Sequence, residues 1–158
     1  MRMIPVMVAA LLSLAGPVIL YAADQSGRLA GHKPGRGIQQ RDVIHDEVVD
    51  EVRTTVKLTG MKEYMKSLDM KIPKGMKETH HISVEFRDAK TGKVLPSGEV
   101  KVKVMNPDKS DQIKDLKAVQ GRFEGDFELS QKGKYAFMCR FLLNEGKVRS
   151  VRFSYSVK

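Results

Sequence analysis

Six stretches of this chain step strictly between apolar and polar residues, and that period of two fixes the class of fold first. Val52, Thr54, Val56 and Leu58 alternate with Arg53, Thr55 and Lys57, and Ile82, Val84 and Phe86 alternate with Ser83, Glu85 and Arg87. Val100-Lys101-Val102-Lys103-Val104 repeats the pattern, as do Phe123–Leu129, Tyr135–Leu143 and Val151–Val157. Successive side chains on a strand point to opposite faces, so each run buries one face and wets the other. Turn chemistry separates the runs. Gly92, Gly133 and Gly146 stand where hairpins need positive φ, and Pro107, which has no N–H to give a ladder, ends the third run. Ile113–Val119 offers a further short strand. Only Met61–Leu68 has helical spacing, with Met61, Met65 and Leu68 on one face. With no βαβ alternation, the expectation is an all-β antiparallel sandwich of about six to seven strands and one short helix.

The chain opens with Arg2, an apolar run from Met3 to Leu20 broken at Gly16-Pro17, and small residues Ala22-Ala23. These are the parts of a secretory signal peptide, expected over residues 1–23. Cleavage after Ala23 leaves Tyr21 where a small side chain is preferred; an uncleaved segment would be the chain's one link to a membrane. Residues 24–41 are rich in Gly, Gln and Arg with almost nothing to bury, which predicts a disordered linker. Residues 42–158 then form one domain, periplasmic or secreted. A single cysteine, Cys139, allows no internal disulfide, so the fold stands on its core. Cys139 shares the phase of Tyr135, Phe137 and Phe141, which suits a small buried residue.

The formal net charge is +9. Lysines that alternate with valines decorate wet strand faces, and no recognition helix or base-stacking pattern accompanies them, so nucleic acid is not an expected partner. An acidic stripe, Glu124, Asp126 and Glu128, is placed to face lysines such as Lys101 and Lys103 across neighbouring strands.

Between the first two strong strands lies GMKEYMKSLDMKIPKGMKETHH, residues 60–81. Thioether and imidazole together suit soft or borderline metals, copper above all. The candidate ligands are His80, His81, Met70 and Met76. Adjacent strand residues point to opposite faces, so one histidine plus methionines is a more natural set than both histidines. His80 has the phase of the core or its rim, and His81 the phase of the wet face. Lys71-Ile72-Pro73-Lys74-Gly75 reads as a turn that folds Met70 back towards Met76. Packing is the competing reading, because flexible Met side chains fill the irregular gaps that a short helix leaves at the end of a sandwich.

HHISVEFRDAKTGKVLPSGEVKVKVMNPD, then AVQGRFEGDFEL, KGKYAF and VRFSYSV, resemble a group of small exported proteins related to YtkA-like and FixH-like domains. The order is the telling part: paired histidines, Asp-x-x-Thr-Gly-Lys, a Val-Lys-Val strand, Gln-Gly-x-Phe, then Lys-Gly-x-Tyr. The resemblance covers residues 43–158. It implies an immunoglobulin-like β-sandwich and, through some relatives, copper supply or oxidase assembly; it implies no catalytic residue. The terminal His-x-Met of cupredoxin-like copper chaperones is absent, since His80 is followed by His81 and Ile82.

Enzymatic chemistry finds little support. His45, Asp46, Glu47, Asp50 and Glu51 gather charge without a nucleophile or an oxyanion site, and no Gly-rich phosphate loop occurs. The expected function is a non-catalytic exported binding or accessory module, handling copper through the Met/His segment. The alternative is an interaction module that docks on another protein of the cell envelope, with its methionines serving only as packing.

Overall fold

The computed structural model describes residues 42–158; the signal peptide and linker expected before them lie outside the described residues. Nine strands and one helix follow in order. They are β1 (Val43–Val49), β2 (Val52–Gly60), α1 (Met61–Ser67), β3 (His80–Asp88), β4 (Gly98–Met105), β5 (Asp111–Asp115), β6 (Lys117–Val119), β7 (Arg122–Phe127), β8 (Gly133–Leu143) and β9 (Val148–Val157). They form a five-stranded sheet in the order β1-β2-β3-β7-β6 and a four-stranded sheet in the order β5-β4-β8-β9. Neighbouring strands in both sheets pair antiparallel. The molecule is therefore the all-β sandwich that the alternation predicts. Among the described residues no helix is long and apolar enough to cross a membrane.

The inward phase of each strand makes the core. Val56, Ile82, Val84 and Phe86 of one sheet meet Val102, Val104, Phe137, Phe141 and Val151 of the other, all nearly sealed from water. Phe86 spans the layers, its ring 5.6 Å from Phe123 and 4.3 Å from Phe141 between centroids. Cys139 sits in this core as a free thiol, and burial alone pushes its pKa up to about 12. Near the start of β8 the Tyr135 hydroxyl donates to the Gln131 carbonyl and accepts the Gln131 N–H, each at 2.9 Å. Such a tie-back of a tyrosine to the corner before it is a device of immunoglobulin-type sandwiches.

Three strands exceed the six clear alternations. β1 carries His45, Asp46 and Glu47, which the sequence presents as a solvated charged run. It pairs with β2 through a two-residue turn in which Asp50 and Glu51 have φ of 47° and 66°. Positive φ at both positions is the type I′ geometry, which normally draws Asn-Gly. His45 then stacks on Phe153, with centroids 4.6 Å apart, and joins β1 to β9 across the edge of the sandwich. The expected strand Ile113–Val119 is in fact two. β5 belongs to the four-stranded sheet and β6 to the five-stranded one. The change of layer falls at Leu116, which is buried and whose N–H donates to the Val100 carbonyl at 2.8 Å. Gly125 leaves it room, since a Cβ there would stand 2.7 Å from Leu116 Cδ2.

Residues 61–79 form an excursion at one end of the five-stranded sheet. The β2–β3 ladder runs on to Met61, whose N–H donates to the Thr79 carbonyl at 2.7 Å and whose side chain is buried. α1 then ends in a Schellman motif. Asp69 takes φ of 56°, its N–H reaching the Lys66 carbonyl, and the Met70 N–H reaches the Met65 carbonyl at 2.9 Å. A second turn, closed by Met76 N–H to the Pro73 carbonyl with Gly75 at φ 81°, returns the chain towards β3.

Candidate functional site at the helix end of the five-stranded sheet

His80 and His81 stand in register with Gly60 and Thr59 on β2 and with Phe127 and Asp126 on β7. They point to opposite faces, as neighbouring strand residues must. His80 is half-buried at the rim of the core, where burial holds its pKa below the ordinary histidine value. Its Nδ1 lies 2.8 Å from the Thr79 hydroxyl, which also accepts the Leu129 N–H at 2.8 Å. A hydroxyl has one donor and two acceptor sites, so Thr79 can serve either tautomer of His80.

His81 departs from the sequence expectation. Its phase is that of the wet face, yet the residue is only 6% exposed. The cause is α1, which lays the Tyr64 ring flat on the imidazole, 3.6 Å between centroids and 6° from parallel. The covered ring lies among carboxylates. Nδ1–H donates to Asp126 Oδ1 at 2.7 Å, while Glu124 Oε2 stands 3.6 Å from Nε2. Nε2 itself is buried, with no hydrogen-bond partner among the described residues. Burial is the largest single influence on this ring and lowers its pKa, but the two carboxylates together outweigh it and hold the pKa above the ordinary value. Tyr64 responds to the same surroundings: burial first, then the charges of Glu124 and Asp126, raise its phenol.

Asp126 and Glu124 complete the candidate site, although the sequence pattern places them elsewhere. They were expected opposite Lys101 and Lys103, but those lysines belong to the other sheet and pair with Asp115 at 3.3 Å and Asp111 at 2.7 Å. The useful signal was present: His81 and the acidic stripe occupy the outward phases of two strands that turn out to be neighbours.

The methionines have separate surroundings. Met70 is 57% exposed and Met76 half-buried. Met65 and Met70 occupy C3 and C″ of the Schellman motif, positions that commonly hold an apolar pair. Both line a shallow depression of about 300 Å³ together with Lys62, Lys66, Asp69, Lys71 and Ile72.

As a metal site the arrangement is partial. Nδ1 is engaged by Asp126, so one imidazole nitrogen, Nε2, remains for an ion, with Glu124 beside it. Among the described residues no group of three or more His, Cys, Asp or Glu is arranged to hold a metal. The fit lies in the orphaned, deeply buried Nε2 and in the carboxylate behind the ring, the pairing by which metal-bound histidines are oriented.

No protein-family model matches the chain, and no curated protein matches it significantly. Solved structures do match in fold. FetP of uropathogenic Escherichia coli superposes with a TM-score of 0.55 at 12% identity, covering 73% of this chain and 93% of FetP. A protein of the DUF4426 family from Pseudomonas aeruginosa gives 0.54 at 10% identity, covering 75% and 97%. A copper-bound variant of FetP gives 0.53 at 11% identity, covering 72% and 89%. At such identities the likeness concerns the fold alone. It agrees with the sandwich implied by the resemblance to YtkA-like and FixH-like domains, while that family naming rests on the sequence motifs.

Proposed function

We propose that this chain is a non-catalytic accessory module, exported to the periplasm or beyond, that handles a metal ion, copper foremost, at the His81 end of the five-stranded sheet. The carrying observation is the buried His81 Nε2, unpartnered, 3.6 Å from Glu124 and with Asp126 holding the opposite nitrogen. A copper-bound form of a protein with the same frame lends support. An imidazole with a carboxylate suits Cu(II) or Zn(II); Met70 and Met76, on the adjoining loop, are the further donors for Cu(I). The bound ion would supply charge and soft-ligand affinity, and this chain's residues orient and shield it.

A hydrolytic role fits less well. Asp126–His81 copies two members of a nucleophilic triad, but among the described residues no hydroxyl lies within hydrogen-bonding reach of Nε2, and Tyr64 closes one face of the ring. Cys139, the one thiol, is sealed in the core.

Titration of metal-free protein with Cu(II), and with Cu(I) against a competing chelator, tests the reading. His81→Ala abolishes tight binding, and Asp126→Asn weakens it about 10–100-fold by releasing the ring. Met70→Leu and Met76→Leu weaken Cu(I) alone. Equal affinity for wild type and His81→Ala would refute the proposal. It would favour the alternative, an envelope interaction module, to which the Schellman placement of Met65 and Met70 already lends weight.

A further inference from the structure

Seven large apolar side chains of the described domain are substantially exposed, and three of them, Leu68, Met70 and Ile72, fall within five consecutive residues. All ten residues from Lys66 to Gly75 are exposed, so this stretch stands off the body of the sandwich. Residues 61–77 carry five lysines, Lys62, Lys66, Lys71, Lys74 and Lys77, against two carboxylates, Glu63 and Asp69. None of the five pairs with a carboxylate among the described residues. Elsewhere Lys90, Lys101, Lys103, Lys114 and Lys147 each do. Among the described residues Lys57, Lys93, Lys117 and Lys134 also lack a carboxylate partner, but this projecting segment interleaves five such lysines with three exposed apolar tips.

We propose that residues 66–77 form a docking surface for the headgroup layer of an anionic phospholipid bilayer. The lysines meet lipid phosphates while Leu68, Met70 and Ile72 enter the boundary beneath them. Long lysine stems let the ammonium groups stay at headgroup level while neighbouring side chains go deeper. The depression beside them is shallow and rimmed by lysines, and it offers no closed apolar groove for a partner helix. A soft, adaptable, negatively charged surface matches it better than a shaped protein patch. The inference uses neither His81 nor its carboxylates; it shares only the Met70–Met76 loop with the Cu(I) reading, and its vesicle test contains no metal.

The chain has no tryptophan, which permits a local test. Ile72→Trp places a single reporter in the segment, and Val148→Trp, at another exposed position, serves as control. With the full chain and phosphatidylglycerol vesicles, the Ile72→Trp emission moves to shorter wavelength and the Val148→Trp emission does not. Phosphatidylcholine vesicles leave both unchanged, and added salt reverses the shift. In the Ile72→Trp background, Lys71→Glu with Lys74→Glu lowers vesicle affinity about tenfold or more, at roughly fivefold per lysine. Because the reporter is local, attachment through residues 1–23 cannot produce this pattern. No shift on anionic vesicles overturns the proposal, as does an equal shift on both lipids. A response to polyglutamate in place of vesicles overturns it too, and assigns the surface to an acidic protein.

Discussion

Replacing Asp126 with Asn isolates the contribution of the buried His81 ring and its carboxylate. In the wild type the His81 pKa is raised above the ordinary 6.5, so the folded state binds its proton more tightly than the unfolded chain does. The pair's contribution is thus fully present below about pH 6.5 and lost as pH rises through the folded-state value. In Asp126→Asn a neutral amide faces Nδ1, Glu124 alone opposes burial, and the ring's pKa falls. At pH 5.5 the variant loses a hydrogen bond to a charged partner, about 1.5–3 kcal/mol, with the lower part of that range expected because Asp126 is 37% exposed. At pH 8 fewer wild-type rings carry the proton than at pH 5.5, so the ion-pair part of the loss shrinks and leaves the bond from a neutral ring to the Asp126 carboxylate. Urea unfolding of both proteins at the two pH values gives the difference, and a two-dimensional NMR titration of the His81 ring protons gives the pKa directly. Tyr64 on α1, Thr59 on β2 and the two carboxylates on β7 are the groups around this ring, and only the carboxylates carry charge at these pH values. A destabilisation independent of pH, or a wild-type His81 titrating below 6.5, would refute the reasoning.

Three further outcomes are expected. Gly98→Ala destabilises by about 3 kcal/mol or more, read from a urea midpoint, because φ is 151° there and a Cβ would drive into the Leu142 carbonyl oxygen and stand 3.0 Å from Leu143 Cα. Glu51→Gly acts in the opposite sense. Relief of a left-handed glutamate gains about 1 kcal/mol, and the exposed Lys90 ion pair lost with it is worth about 0–1, so the melting temperature holds or rises. Cys139 stays unlabelled by a thiol reagent in native buffer at pH 8 and reacts at once in denaturant. Its raised pKa also means that stability declines as pH climbs past 9, where the unfolded thiol ionises first.

Most of the sheet framework could be read from period two, because a strand buried on one face cannot hide that pattern. β1 could not, since an edge strand tolerates His45, Asp46 and Glu47 on its open side, and its turn holds Asp50-Glu51 where Gly would have announced it. The change of layer at Leu116 carries neither Gly nor Pro to mark it, and the only local sign is the break of period two at Lys114-Asp115, so one expected strand concealed two. Of the candidate site, the histidines and their divergence followed from strand geometry alone. The burial of His81 did not, because it depends on a helix that folds back over the sheet and on β7 becoming the neighbour of β3. Local pattern says which way a side chain points; only the long-range pairing says what stands over it.

The passage of the chain between layers at Leu116 has a mechanical consequence. Two stacked sheets joined only by end loops can slide or peel, much as two cards held by a thread. Here one continuous extended segment is stitched into both, hydrogen-bonded to β4 before the crease and to β7 after it. Shear between the layers must tear one of those seams, so the sandwich is built to give way all at once, and the His81 end inherits that rigidity from a residue with no part in its chemistry.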